Sequence, residues 1–218
     1  MAQADYVPFA GENGEGIAVN RIRDREFDRI RADVYCREFQ LRAILRELCY
    51  SNVTIAEVKT LFLLRHAKSS WKEQSLPDFE RPLNRRGKEA AEKIGRYLKH
   101  KAIVPELVLS SPALRARETI ERVAKFAKWT PEILYDQRIY EAGGLRLLEV
   151  VAQIENERKT ALLVGHNPGI EELLMLLTGE SKQVPTAALL KIELKTSKWT
   201  TAADKRARLA WLIKPRKL

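Results

Sequence analysis

The sequence predicts an α/β fold: a three-layer sandwich with a mostly parallel central sheet and helices on both faces, preceded by an N-terminal helical extension. Three observations predict it. Short, wholly apolar runs at Leu61–Leu64, Leu107–Leu109 and Ala161–Val164 suit strands buried on both faces, as in a parallel sheet. Each run is followed by a segment of helical period with its own start signal. No internal repeat or low-complexity stretch competes with this alternation.

Residues 1–58 differ from the remainder of the chain. They hold eight arginines, ten acidic residues and no lysine, so the +10 charge of the whole chain arises entirely from residues 59–218. Apolar residues at Phe27, Ile30, Val34, Leu41, Ile44, Leu45 and Leu48 roughly fit an amphipathic helix, broken once. Such a helix packs on the domain, contacts a partner or lies on a membrane surface; a dispensable extension is the plainer alternative. The expected organisation is therefore an extension over 1–58, partly helical or disordered, and one domain over 59–218.

From Lys59 the elements follow in order. Leu61–Leu64 is the first strand and stops at Arg65-His66. A polar loop over Lys72–Pro82 leads to Asn84, a suitable cap for a helix over Arg85–Lys99 whose inner face is Ala90, Ala91, Ile94, Tyr97 and Leu98. Leu107–Leu109 is the second strand. Ser111 with Pro112 behind it reads as a cap and first helical position, and Ala116, Ile120, Val123, Ala124 and Ala127 form the buried face. Ile133–Leu134 and Ile139–Tyr140 read as brief extended pieces. Gly143-Gly144 breaks the chain before a helix over Leu145–Glu155. Ala161–Val164 is the third strand, ended by Gly165-His166, and Asn167-Pro168 repeats the cap-plus-proline start for a helix over Ile170–Leu177. Thr178-Gly179 closes that helix. Leu189–Leu194 and Leu209–Ile213 read as two last strands.

Composition narrows the function. The basic balance favours anionic partners, but aromatic residues make up only 7% and no basic cluster is interleaved with them, which argues against nucleic acid. Cys36 and Cys49 form neither a CxxC pair nor a histidine cluster, so no zinc site, redox motif or other cofactor is expected. No apolar run reaches membrane-span length, and the first residues lack a basic start with an apolar core. The expectation is a cytoplasmic protein with no membrane partner.

In a parallel sheet the ends of the first three strands share one edge, where ligands bind. That edge would gather Arg65-His66, Ser110–Arg115 and Gly165–Pro168. Two arginine forks match phosphate oxygens, helix starts add N–H donors, and a neutral imidazole can attack phosphorus. The chain carries no Walker loop, no HExxH and no GxSxG. Metal-free covalent phosphoryl transfer is the natural chemistry for such a set.

These motifs together resemble the histidine phosphatase superfamily. They are Arg-His-Ala-Lys-Ser-Ser-Trp at Arg65–Trp71, Asp-Phe-Glu-Arg-Pro-Leu at Asp78–Leu83, Ser-Ser-Pro-Ala-Leu-Arg-Ala-Arg-Glu-Thr at Ser110–Thr119, Tyr-Glu-Ala at Tyr140–Ala142 and Gly-His-Asn-Pro at Gly165–Pro168. The chain is most similar to the small phosphohistidine phosphatase branch, over Lys59–Leu218. The resemblance implies a phosphoglycerate mutase-like fold. It implies His66 as the nucleophile, Arg65, Arg115 and His166 as phosphoryl-binding groups, Arg81 as an accessory anion contact, and Glu141 as the proton donor of ester-cleaving relatives. Ala67 departs from the glycine that much of the superfamily has there.

Only 21 residues separate Thr119 from Glu141 and 24 separate Glu141 from His166, so little chain is left for a lid. An open pocket suits a phosphorylated protein side chain or a small exposed phosphate ester. It disfavours a mutase, which must exclude water. A non-catalytic phosphate-binding module is disfavoured by the intact His66, Arg115 and His166.

Overall fold

The computed structural model describes residues 58–203 and 207–218. The helix expected within 25–48, both cysteines and the rest of the extension up to residue 57 lie outside the described residues. Six strands form one sheet: β1 (Lys59–Arg65), β2 (Leu107–Ser110), β3 (Ile133–Tyr135), β4 (Thr160–Gly165), β5 (Leu189–Leu194) and β6 (Ala207–Ile213). Their order across the sheet is β3-β2-β4-β1-β5-β6. The first four run parallel to one another, while β5 is antiparallel to both of its neighbours, β1 and β6. The four principal helices are α1 (Arg85–His100), α2 (Leu114–Ala127), α3 (Gly144–Ala152) and α4 (Gly169–Thr178).

Alternation along the central strands divides the core in two. Phe62, Leu64, Val108, Leu162 and Val164 face α1 and α2, meeting Ile94, Leu98, Ile120 and Val123. Leu61, Leu63, Leu109 and Leu163 face α3 and α4, meeting Leu147, Val151, Leu173 and Leu177. Both faces of β1 and β4 are thus covered, which is why their sequences read as unbroken apolar runs. Trp199 is fully buried on the second face, and its indole N–H donates to the Arg158 carbonyl at 2.8 Å. Trp211 is half-buried, 6.0 Å from Phe62 and 6.1 Å from Tyr97, ring centre to ring centre. No described helix is long and apolar enough to cross a membrane.

The Asn84 cap is as expected: its side chain accepts from the Gly87 N–H at 2.8 Å. Four local expectations need correction. Ser111 does not cap α2, which starts at Leu114 behind Ala113; the Ser111 hydroxyl accepts instead from the Ala113 N–H at 3.3 Å and bonds His166. Asn167 does not cap α4 either: its Oδ1 accepts from no described residue, while its Nδ2 donates to Glu171 at 2.6 Å and to the Val184 carbonyl at 3.1 Å. In both loops the side chain also bonds a group distant in sequence, His166 for Ser111 and the Val184 carbonyl for Asn167. Of the Ile139–Tyr140 stretch only Tyr140 is extended; Gln137–Ile139 form a single 3-10 turn held by Asp136, whose carboxylate accepts from the Arg138 N–H. Finally, α3 runs from Gly144 only to Ala152, because the chain turns over at Gln153 before reaching Glu155.

The start of α4 lies hard against the loop before α3. A Cβ added at Gly169 would fall onto the Ala142 carbonyl oxygen, which leaves no room for any side chain there. Gly169→Ala is expected to destabilise the protein by roughly 1–3 kcal/mol through this overpacking. Urea denaturation checks it, and an unchanged midpoint would mean that the loop yields freely.

Candidate active site

The pairing of β1 with β4 brings the two histidine-bearing strand ends together directly. Arg65 lies opposite Gly165, so His66 and His166 each stand one residue beyond the end of adjacent parallel strands. The His66 N–H continues the ladder to the Gly165 carbonyl at 3.0 Å. The two imidazole rings lie 4.9 Å apart, centre to centre, tilted by 50°. On the other side of β4, Ser111 N–H bonds the Val164 carbonyl at 2.9 Å, and its hydroxyl reaches His166 Nε2 at 2.8 Å.

His66 is oriented from behind. Its Nδ1 lies 2.8 Å from the Ala67 carbonyl oxygen. A carbonyl only accepts, so Nδ1 carries the proton and Nε2 keeps a free lone pair. Ala67 is itself fully buried, and its N–H donates to Thr119 Oγ1 at 2.9 Å on the first turns of α2. Burial is the main force lowering the pKa of His66 to about 4, with the positive charges of Arg115 and Arg65 adding to it against the Ala67 bond. Burial likewise leads in lowering His166 to about 3, helped by His66 and Arg115. Both rings are therefore neutral near pH 7.

Arg65 donates from Nη1 to the Val184 carbonyl at 2.8 Å, while its Nε is buried. Arg65 Nε and His166 Nδ1 have no hydrogen-bond partner among the described residues. Burial pulls the Arg65 pKa down, against the opposing charge of Glu171. Arg115, buried on the first turn of α2, grips Asp78: Nη1 donates to its carbonyl at 2.6 Å and Nη2 pairs with Oδ2 at 2.8 Å. Those bonds engage two of the five guanidinium N–H groups and leave the others for an anion.

Asp78 is the residue that reading the sequence alone leaves without a role. It pairs with Arg81 at 3.0 Å and accepts from the Tyr140 hydroxyl at 3.1 Å, besides holding Arg115. Burial opposes its charged form, but Arg115, Tyr140 and Arg81 outweigh that and hold its carboxyl below the usual range. Tyr140 forms a wall: its ring is edge-on to His166 at 5.7 Å, and Arg115 lies 5.9 Å from its centre. The signal for both residues was present, since Asp78 and Tyr140 open two of the sequence motifs.

Arg81 is buried, and its guanidinium lies 3.1 Å over the Trp71 ring. It donates to the Ser70 carbonyl at 3.2 Å, to Ser69 Oγ at 2.9 Å and to Asp78. It thus sits behind Asp78 and binds the loop after His66 to the loop before α1. Glu141 follows Tyr140, is exposed, and adopts a left-handed backbone with φ of 53°. A non-glycine residue in that region is uncommon. The structure thus brings Arg65, His66, Arg115 and His166 to one edge, with Glu141 at the rim and Arg81 one layer back. Among the described residues no group of three or more His, Cys, Asp or Glu is placed to hold a metal ion.

Comparison with known proteins bears on the family and the fold. The model of the histidine phosphatase superfamily (branch 1) matches residues 61–144. An uncharacterized protein of Mycobacterium leprae is 31% identical over 137 residues, 62% of this chain and 83% of that one. SixA of Agrobacterium tumefaciens, a protein assigned as a phosphohistidine phosphatase, superposes with a TM-score of 0.63 at 30% identity, covering 72% of this chain and 98% of that one. The fold is also shared with the protein histidine phosphatase SixA in complex with tungstate, with a TM-score of 0.61 at 21% identity over 72% of this chain and 98% of that one.

The two histidines should titrate far below an exposed imidazole. An NMR titration is expected to show both rings neutral from pH 8 to below pH 5, protonating near pH 4 and pH 3. Because the folded state refuses protons that an unfolded imidazole accepts at about 6.5, stability should fall as pH drops from about 6.5 towards 4. Titration of either ring near 6.5 would contradict the burial described.

Proposed function

The chain belongs to the histidine phosphatase superfamily, and from that premise we propose that it is a metal-independent phosphatase working through a covalent phosphohistidine on His66. Its substrates under this proposal are phosphohistidine in proteins or exposed phosphate monoesters. The domain over 59–218 carries the reaction, and residues 1–58 stand outside it. The observation that carries the reading is the bond from His66 Nδ1–H to the Ala67 carbonyl, which leaves a neutral Nε2 lone pair beside two arginines.

The reaction takes two steps. His66 Nε2 attacks phosphorus as the bond to the leaving group breaks, and the leaving atom departs with that electron pair. Water then attacks the phosphorus held on Nε2, the P–N bond breaks back to the imidazole, and phosphate leaves. Negative charge on the transferring oxygens is met by Arg65 and Arg115, both fixed before substrate arrives. His166 serves as a third contact. If the Ser111 hydroxyl donates to Nε2, the ring proton lies on the buried Nδ1, which then donates to the phosphoryl group. Asp78 and Arg81 act through Arg115 and are positioning residues.

The leaving group decides what Glu141 is needed for. An imidazole leaves phosphorus with little acid help, whereas an alcohol needs a proton at oxygen. Glu141, exposed and next to Tyr140, is the carboxyl that would supply that proton under this proposal. Between α2 and α3 the chain supplies only β3 and one 3-10 turn, which fits an unlidded site open to a protein side chain.

Turnover of a generic aryl phosphate should survive chelation by EDTA and fall roughly 10³-fold or more in His66→Ala. Acid-labile phosphate trapped on the wild-type chain after rapid quenching should be missing from that variant. Wild-type turnover in His66→Ala would remove the proposal. Glu141→Gln should lower kcat on alkyl phosphates about 10²-fold or more while leaving phosphohistidine cleavage nearly unchanged. Equal loss on both substrates would take away its role as a proton donor.

A further inference from the structure

Beside the site lies a second concave surface with a different character. An open cavity of about 570 Å³ is lined by Lys68, Arg86, Lys93, Lys214, Arg216 and Lys217, with Ala90, Pro185, Thr186 and Pro215 between them. All six cationic side chains belong to exposed residues. None of them makes an ion pair among the described residues. The one acid in the lining, Glu89, is paired with Arg85 at 3.6 Å. Lys93 Nζ makes only a long contact, 3.4 Å, to the Pro215 carbonyl.

The topology sets this cavity on the same edge of the sheet as His66. Because β5 is antiparallel to β1 and β6 to β5, β6 runs with β1 and its carboxyl end emerges beside that strand's end. The tail holding Lys214, Arg216 and Lys217 follows directly. Lys68 is two residues from His66, so their Cα atoms are at most about 7.6 Å apart. The opposite wall is equally close: Ala187, next after Thr186, donates its N–H to the carbonyls of both Arg65 and His66 at 3.1 Å.

Six like charges with no ion-pair partner among the described residues repel each other around one hollow, and an anion seated among them relieves that repulsion. The volume lies within the range of ligand-binding clefts. The lining has no aromatic side chain on which a base could stack, which favours carboxylates over nucleic acid. We propose that this cavity is an exosite that seats an acidic segment next to the phosphorylated residue of a protein substrate. This rests on the reading of His66 as the nucleophile of a protein phosphatase. The exosite acts on binding and leaves the chemistry at His66 Nε2 unchanged.

The test compares two phosphohistidine peptides that differ only in having an acidic or a neutral flank, using the full chain and its Arg86→Gln/Arg216→Gln/Lys217→Gln variant. The wild type should show about tenfold lower KM for the acidic peptide at low salt, a preference that fades as ionic strength rises. The variant should lose the preference while keeping wild-type kcat and aryl phosphatase activity. Equal KM for both peptides in the wild type, or an undiminished preference in the variant, would overturn the exosite. Fluorescence anisotropy of a labelled, unphosphorylated acidic peptide separates this from the catalytic proposal. Loss of aryl phosphate turnover with peptide binding intact would fail the catalytic reading alone. Peptide binding equal in both proteins would fail the exosite alone.

Discussion

The parallel register of β1 on β4 is the constraint on which the site depends. Arg65 opposite Gly165 means that the two chains leave the sheet side by side. The bond from His66 N–H to the Gly165 carbonyl carries the ladder one step further, into the loops themselves. A slip of β1 by one residue would exchange Leu61 and Leu63 with Phe62 and Leu64 between two cores packed for different side chains. Burial on both faces therefore makes the register expensive to change, and the spacing of the two imidazoles follows from it.

Electrostatics then divides the work between permanent and adjustable groups. Arg65 and Arg115 supply the fixed guanidinium forks, each already held by a carbonyl or carboxylate partner. The imidazoles between them are driven neutral by burial and by that charge. Asp78 balances the cluster from one side, holding Arg115 while Tyr140 and Arg81 hold Asp78. A phosphoryl dianion entering the remaining side would meet donors that are already oriented, at little reorganisation cost. The Thr119–Ala67–His66 chain of hydrogen bonds does the same for the nucleophile.

Much of this was legible in the amino-acid order. Strands buried on both faces show as apolar runs, and the cap at Asn84 acts within its own turn, so both could be read locally. The local rule misled at Ser111 and Asn167, which look like caps. Ser111 is bonded to His166 and Asn167 to the Val184 carbonyl, groups that sequence spacing does not place nearby, and Asn167 donates as well to Glu171, one turn along its own helix. The turn at Gln137–Ile139 and the early end of α3 are likewise set by contacts made over a few residues in competition with pattern.

The sequence alone determined that strands and helices alternate, and that two histidines and two arginines follow strand ends, because periodicity and strand punctuation are properties of neighbouring residues. Only the tertiary structure decided which nitrogen of His66 is free, that Asp78 and Tyr140 join the site, and that Arg81 stands behind Asp78. It alone gathered Lys68, the first turns of α1 and the chain's end around one hollow. The physical reason is distance along the chain: hydrogen-bond partners and electric fields from segments tens of residues away act only after the sheet has closed.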